Sequence, residues 1–204
     1  MGADSGGKSK FSKKLLAIAV IIIVVVAVVV SWQIYGRSSN ATKSEVTLSP
    51  LSLTLVGANG QQKILDSDEL AALKSITAAG GYNDTDTGTI YTGNFTGVSI
   101  LALLDLVGGI TSSDNVTVTG SDGYQMTFTY QQVHGQGLNT YDPKTGVAVQ
   151  PQQPLTAIVA YYCNGTSLAS DKGPLTVALM GPQGLFTDGK YWAYFLVKIE
   201  IITA

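Results

Sequence analysis

The sequence predicts a mixed α+β domain rich in strands, preceded by one membrane-spanning helix. Three observations carry this. An uncharged apolar run begins at Leu15. Beyond Val46, apolar residues recur with a period of two in segment after segment. Between those segments, two short stretches carry helix-capping and helix-stopping residues instead. The chain has 204 residues, enough for one domain with a hydrophobic core after the N-terminal part and too few for two.

The span comes first in the chain. No charge occurs from Leu15 to Trp32, and a helix of that length covers roughly 27 Å, close to the hydrocarbon thickness of a bilayer. Its many β-branched residues disfavour a helix in water, but in lipid the backbone must satisfy itself within the segment. Trp32 and Tyr35 stand where interfacial aromatics belong, and Lys8, Lys10, Lys13 and Lys14 place the N-terminus in the cytoplasm. The run is longer than the apolar region of a cleaved signal peptide, and no Ala-x-Ala site follows. Gly6, where Ser or Thr is expected, removes an N-myristoylation reading. The expected organisation is a basic tail at 1–14, an anchor at 15–35, a polar stalk at 36–45 and a domain at 46–204 outside the cell membrane.

Charge narrows the partners. Residues 38–204 hold seven lysines, no arginine and thirteen acids, so phosphate neutralisation on nucleic acid is excluded as a role. Five Asn-x-Thr sequons, at Asn40, Asn83, Asn94, Asn115 and Asn164, point to a glycosylated surface protein, of a kind common in archaea. Cys163 is the single cysteine. It forms no internal disulfide and reads as a small buried hydrophobe.

Within the domain, Val46–Val56 alternates apolar and polar residues as a half-buried strand does. Asp66, followed by Glu69, reads as a capping box opening a helix to about Ile76, broken by Gly80 and Gly81. Tyr82–Thr92 reads as a loop, and Val98–Val107 as a second helix closed by Gly108 and Gly109. Strands are expected at Val116–Thr119 and Tyr124–Tyr130, then a polar excursion from Gln131 to Pro154. Near-continuous apolar strands follow at Leu155–Cys163, Leu175–Met180 and Trp192–Ile202.

Five segments, in order, carry a resemblance. Tyr91 to Leu104, with Gly97-Val98 at its centre, is similar to the pattern W-x-G-V-x-L-x-x-L-L. Val116 to Tyr124 is similar to a strand running into S-x-D-G-Y, and Ile158 to Leu168 to L-A-Y-x-x-N-G-x-x-L. Gly173 to Thr176 is similar to G-x-P-L-R, and Val197 to Ile201 to V-x-x-I-x-V. Together the region from Val46 to Ile202 resembles the molybdopterin-binding domain of the sulfite oxidase family, which implies that family's mixed-sheet fold.

The same resemblance implies a site that this chain lacks. In active members a Cys thiolate between the first helix and the W-x-G-V segment ligates molybdenum. The matching stretch here, Ile76 to Asn83, contains no Cys. The family's phosphate-gripping Arg matches Thr176. The expectation is therefore a non-catalytic scaffold, binding no cofactor and serving as a surface binding or structural module with a protein or small-ligand partner. Two alternatives stand beside it. One is an oxidoreductase subunit holding molybdopterin atypically, with Lys172 touching the phosphate and Asp122 and Tyr124 lining the pocket. The other is an extracellular small-ligand receptor, with the Tyr82–Thr92 and Tyr141–Pro154 loops as its rim.

Other groupings have plainer readings. Asp84 and Asp86 offer oxygen ligands for Ca²⁺ but lack the rest of an EF-hand loop, and read as a solvated turn. Tyr161-Tyr162 and Trp192 with Tyr194 offer a carbohydrate platform, though alternating aromatics in late strands read first as core. His134, the single histidine, reads as a loop residue.

Overall fold

A computed structural model describes residues 48, 51–84 and 87–203, and every structural statement here concerns those residues. Among them no helix is long and apolar enough to cross a membrane. The anchor and stalk expected at 15–45, and the sequon at Asn40, lie outside them.

Twelve strands form two sheets. β1 (Ser52–Val56), β2 (Gln62–Asp66), β5 (Asp114–Gly120), β6 (Gln125–Thr129) and β12 (Leu196–Thr203) make the first, in the order β2-β1-β12-β5-β6. The second contains β3 (Ser75–Asp84), β4 (Thr89–Ser99), β7 (Thr140–Tyr141), β8 (Thr156–Cys163), β9 (Thr166–Ser167), β10 (Thr176–Met180) and β11 (Phe186–Asp188). Its order is β10-β8-β4-β3-β11-β7, with β9 on β8, and it closes into a barrel where Met180 pairs with Gly80. β1 runs parallel to β12, and β11 parallel to β3; the other pairings are antiparallel. Three short helices complete the domain: α1 (Ser67–Ala72), α2 (Ile100–Asp105) and α3 (Tyr130–Val133).

Sequence pattern explains the layers. In β5 the residues Val116 and Val118 point inward while Thr117 and Thr119 point out, and Leu53 and Leu55 do the same in β1. β10 is buried along its whole length, which accounts for its continuous apolar run. In α2, Ile100, Leu103 and Leu104 form the apolar face at helical spacing.

Several expected boundaries move. The capping box at Asp66 is present in full: its carboxylate accepts from the Asp68 and Glu69 N–H groups, and Glu69 accepts from the Asp66 N–H. The helix nevertheless ends at Ala72. Gly80 and Gly81 stop no helix; they lie inside β3. A Cβ on Gly80 would come within 2.5 Å of the Leu179 carbonyl oxygen, and one on Gly81 equally close to that of Tyr91. Close strand approach, not helix termination, requires glycine there. The expected loop Tyr82–Thr92 is largely the end of the β3–β4 hairpin, and Val98 and Ser99 belong to β4 rather than to a helix. The polar excursion 131–154 contains most of α3 and also β7, Trp192–Phe195 precede β12, and β2, β9 and β11 fall where no element is expected.

One carboxylate fastens the turn that leads into β5. Asp114 is buried at the start of β5 and accepts from the Thr111 N–H (2.7 Å) and hydroxyl (2.8 Å). These bonds hold its pKa below the ordinary carboxylate value. A depressed folded-state pKa gives stability that is present above the unfolded value, near 3.9, and lost as pH falls through the folded one. Unfolding midpoints are expected to hold from about pH 7 to 5 and to fall below about pH 4. Asp114→Asn should make that acid limb shallower in urea titrations; an unchanged limb removes Asp114 from the account.

Candidate functional site

A cleft of about 580 Å³ opens where the two sheets meet. Three segments converge on it: the end of β3 with Tyr82 and Asp84, the β5–β6 turn with Asp122 and Tyr124, and the stretch from Asp188 to Tyr194.

Each segment has a local reason to be there. Gly120 and Gly123 make the tight β5–β6 turn, and the Asp122 carboxylate caps it by accepting the Tyr124 N–H at 3.0 Å. The Tyr124 hydroxyl donates to the Lys190 carbonyl, fastening the turn to the opposite wall. Asp188 ends β11, which pairs beside β3 and so brings it next to Asn83. Phe195 has φ +49°, in the left-handed region that a bulky residue seldom occupies. It is held there by its N–H to the Lys172 carbonyl and by the Ser121 N–H to its own carbonyl. The reversal lets Tyr194 face the cleft while the Phe195 ring packs on Gly173.

The floor is aromatic. Trp192, 3 % exposed, lies 4.9 Å from the Tyr82 ring and 5.0 Å from Phe95, and its indole N–H donates to the Thr187 hydroxyl at 2.8 Å. Tyr194 donates to the Tyr82 hydroxyl. The Lys172 ammonium contacts both phenols, at 3.1 Å from Tyr82 and 3.5 Å from Tyr194. It also sits 4.3 Å above the Tyr91 ring and 4.5 Å above that of Tyr194. Burial raises the Tyr82 phenol far above its ordinary range, and raises that of Tyr194 as well. Both are neutral at physiological pH.

The walls are acidic. Asp188 accepts from Asn139 (2.8 Å) and Tyr141 (2.9 Å) and pairs with Lys190 at 3.3 Å. Burial alone would raise its pKa, but these three partners outweigh it and hold the carboxyl below its usual range. Asp84 and Asp122 add two more carboxylates from different sheets.

Asp122 and Tyr124 thus lie together in the cleft. Lys172 is not among its lining residues; its ammonium contacts the Tyr82 and Tyr194 phenols that are. Of the expected rim, Tyr82 and Asp84 line this cleft, whereas Tyr141 and residues 148–150 border a separate pocket of about 180 Å³. Asp188, Lys190 and Trp192 complete the site, and nothing in the sequence marked the first two. Asn94 and Asn164 are exposed and bonded to each other through main chain and side chain, while Asn83 and Asn115 are half-buried within strands. His134 ends α3 with its ring 2.8 Å from the Tyr130 carbonyl. Cys163 is half-buried, its thiol pKa raised by burial. Among the described residues no three His, Cys, Asp or Glu side chains are grouped to hold a metal ion.

No protein-family model matches the chain, and no curated protein does. A solved structure does, the sulfane dehydrogenase SoxCD from Paracoccus pantotrophus, with TM-score 0.55 and 14% identity over 74% of this chain. The domain has a distant molybdopterin-binding-like fold. The chain spans only 38% of that protein's length, and at this identity the likeness concerns architecture alone.

The residues present do not fit the cofactor. Where the resemblance puts the metal-binding Cys, β3 carries glycines pressed against neighbouring backbone. Thr176, in the place of the phosphate-binding Arg, is buried and donates to the Ala193 carbonyl at 2.9 Å. Three carboxylates against one lysine in the cleft oppose a phosphate rather than attract it.

Proposed function

We propose that this chain is a single-pass surface protein whose outer domain has turned a molybdopterin-binding-like scaffold into a non-catalytic binding module. Residues 15–35 anchor it, 36–45 form a stalk, and the N-terminus lies in the cytoplasm. The ligand sits in the cleft floored by Tyr82, Trp192 and Tyr194.

The observation that carries this reading is the sign of the cleft. Asp84, Asp122 and Asp188 line it with Lys190 as the one basic side chain among its lining residues. Such a site repels the phosphate through which a pterin cofactor would be gripped. The alternative, an oxidoreductase subunit with unorthodox cofactor binding, has the fold alone in its favour.

The test is elemental analysis of the full chain purified from its native host or a molybdopterin-competent one. Molybdenum and tungsten are quantified beside the fluorescence of oxidised pterin released from the protein. Both metals and the pterin are expected far below one per chain. Stoichiometric metal with pterin would overturn the non-catalytic reading.

A further inference from the structure

Resting on the placement of the domain outside the cell, we infer that Asn164, alone among the sequons the structure describes, carries an N-linked saccharide. Asn-x-Thr is the acceptor motif for such a link, and the link belongs on a surface loop.

The other described sequons are built into strands paired on both sides. Asn83 is half-buried in β3, between Ile90 of β4 and Asp188 of β11. Asn115 is half-buried in β5, between Ile202 and Thr129, and Val116 beside it is fully buried. Asn94 is exposed, but its sequon runs through Phe95, 5% exposed and packed edge-on against Trp192. It ends at Thr96, whose hydroxyl is bonded to that of Thr77. Presenting any of these to an enzyme would draw a core side chain or a central strand out of the domain.

Asn164-Gly165-Thr166 differs at every residue. All three are exposed. Asn164 (φ +53°) and Gly165 (φ +78°) form the two-residue turn between β8 and β9, closed by the pairing of Cys163 with Thr166. Positive φ at both positions is the hairpin geometry that favours Asn followed by Gly. β9 is two residues long and pairs with β8 alone among the described strands, so lifting the turn breaks few bonds. The Thr166 hydroxyl donates to the Cys163 carbonyl at 3.1 Å, one exposed bond. The Asn164 side-chain oxygen accepts the Asn94 N–H at 2.9 Å. This turns one end of the amide to β4 and leaves the reacting atom, Nδ2, at the other.

In the transfer, Nδ2 forms a bond to the anomeric carbon of a saccharide carried on a polyprenyl phosphate. The bond from that carbon to the phosphate oxygen breaks and the lipid phosphate leaves. The amide proton passes to a base of the transferring enzyme, and nothing is oxidised or reduced. The amide carbonyl is untouched, so the bond from Asn94 survives the modification.

The experiment is mass spectrometry of the full chain purified from its native host and cut after lysine. The fragment from Thr145 to Lys172 contains Asn164 as its single sequon, whereas that from Ser75 to Lys144 contains Asn83, Asn94 and Asn115. A mass increment of whole sugar residues is expected on the first fragment and not on the second. Thr166→Ala should abolish the increment and Thr166→Ser should keep it, with circular dichroism unchanged in both because the side chain is exposed. An increment on the second fragment, or one on the first that survives Thr166→Ala, would overturn the inference while leaving the surface reading in place. Two bare fragments also overturn it. Labelling of the exposed Lys144 on intact cells, with a membrane-impermeant amine reagent, then judges the outside placement on its own.

Discussion

Gly97→Ala is expected to destabilise the domain by about 3 kcal/mol or more, a large share of the roughly 5–15 kcal/mol typical of a whole fold. A Cβ on Gly97 would stand 2.0 Å from the Val159 carbonyl oxygen and 2.7 Å from the Ala160 Cα. Both are backbone atoms of β8, so no side chain can swing aside. Nor can β4 move away as a whole, because it is paired on its other side with β3 from Ser75–Val98 to Asp84–Thr89. The register between β4 and β8 shifts between Thr96 and Gly97, and this bulge is what brings the two backbones so close. Gly60→Ala is the matched control. Gly60 has φ +79° but open space around it, so it should lose only about 1 kcal/mol, from the left-handed backbone. Urea unfolding of both variants decides the matter. Equal, small losses would mean that β4 and β8 are not in the contact described.

Trp192→Ala should also be severe, at about 3–5 kcal/mol. The indole fills the space between Tyr82 and Phe95 and is the donor to Thr187, whose side chain is wholly buried. Alanine leaves a cavity beneath the cleft and deprives that hydroxyl of its donor. Trp192→Phe separates the two effects: most of the packing stays, and the lost hydrogen bond should amount to about 1–2 kcal/mol. Thermal unfolding of the two variants gives the order of severity, and a Trp192→Ala variant within about 1 kcal/mol of the parent would show that the floor is not part of the core.

Much of the architecture was legible where local chemistry decides it. The capping box at Asp66, the stop at Gly108-Gly109 and the alternation of β5 all stand where the residues put them. The failures share a cause. Ile76 to Gly81 has little strand character of its own, and becomes strand only because β4, β10 and β11 pair with it; tertiary pairing overrode propensity. β2 was hidden because Asp66 both ends that strand and caps α1. The site divides in the same way. Asp122 and Tyr124 lie in the segment that resembles the family's S-x-D-G-Y, but Asp188 and Lys190 reach them only through the parallel β11–β3 pairing, which leaves no local trace. The sequence offers Lys172 as a phosphate contact under the oxidoreductase alternative alone, and its burial among three tyrosines leaves no local signature.

The parallel pair of β1 and β12 has a consequence for how the domain is made. Thr54 stands beside Lys198, so β1 meets β12 only after nearly all the chain between them has been synthesised. β12 is also the link between β1 and β5; until it emerges, the first sheet is two separate hairpins with open edges. Contacts so distant in sequence slow the search for the native state and lengthen the interval in which those edges are exposed. The first sheet is therefore completed only when β12 joins its two hairpins, late in the making of the domain.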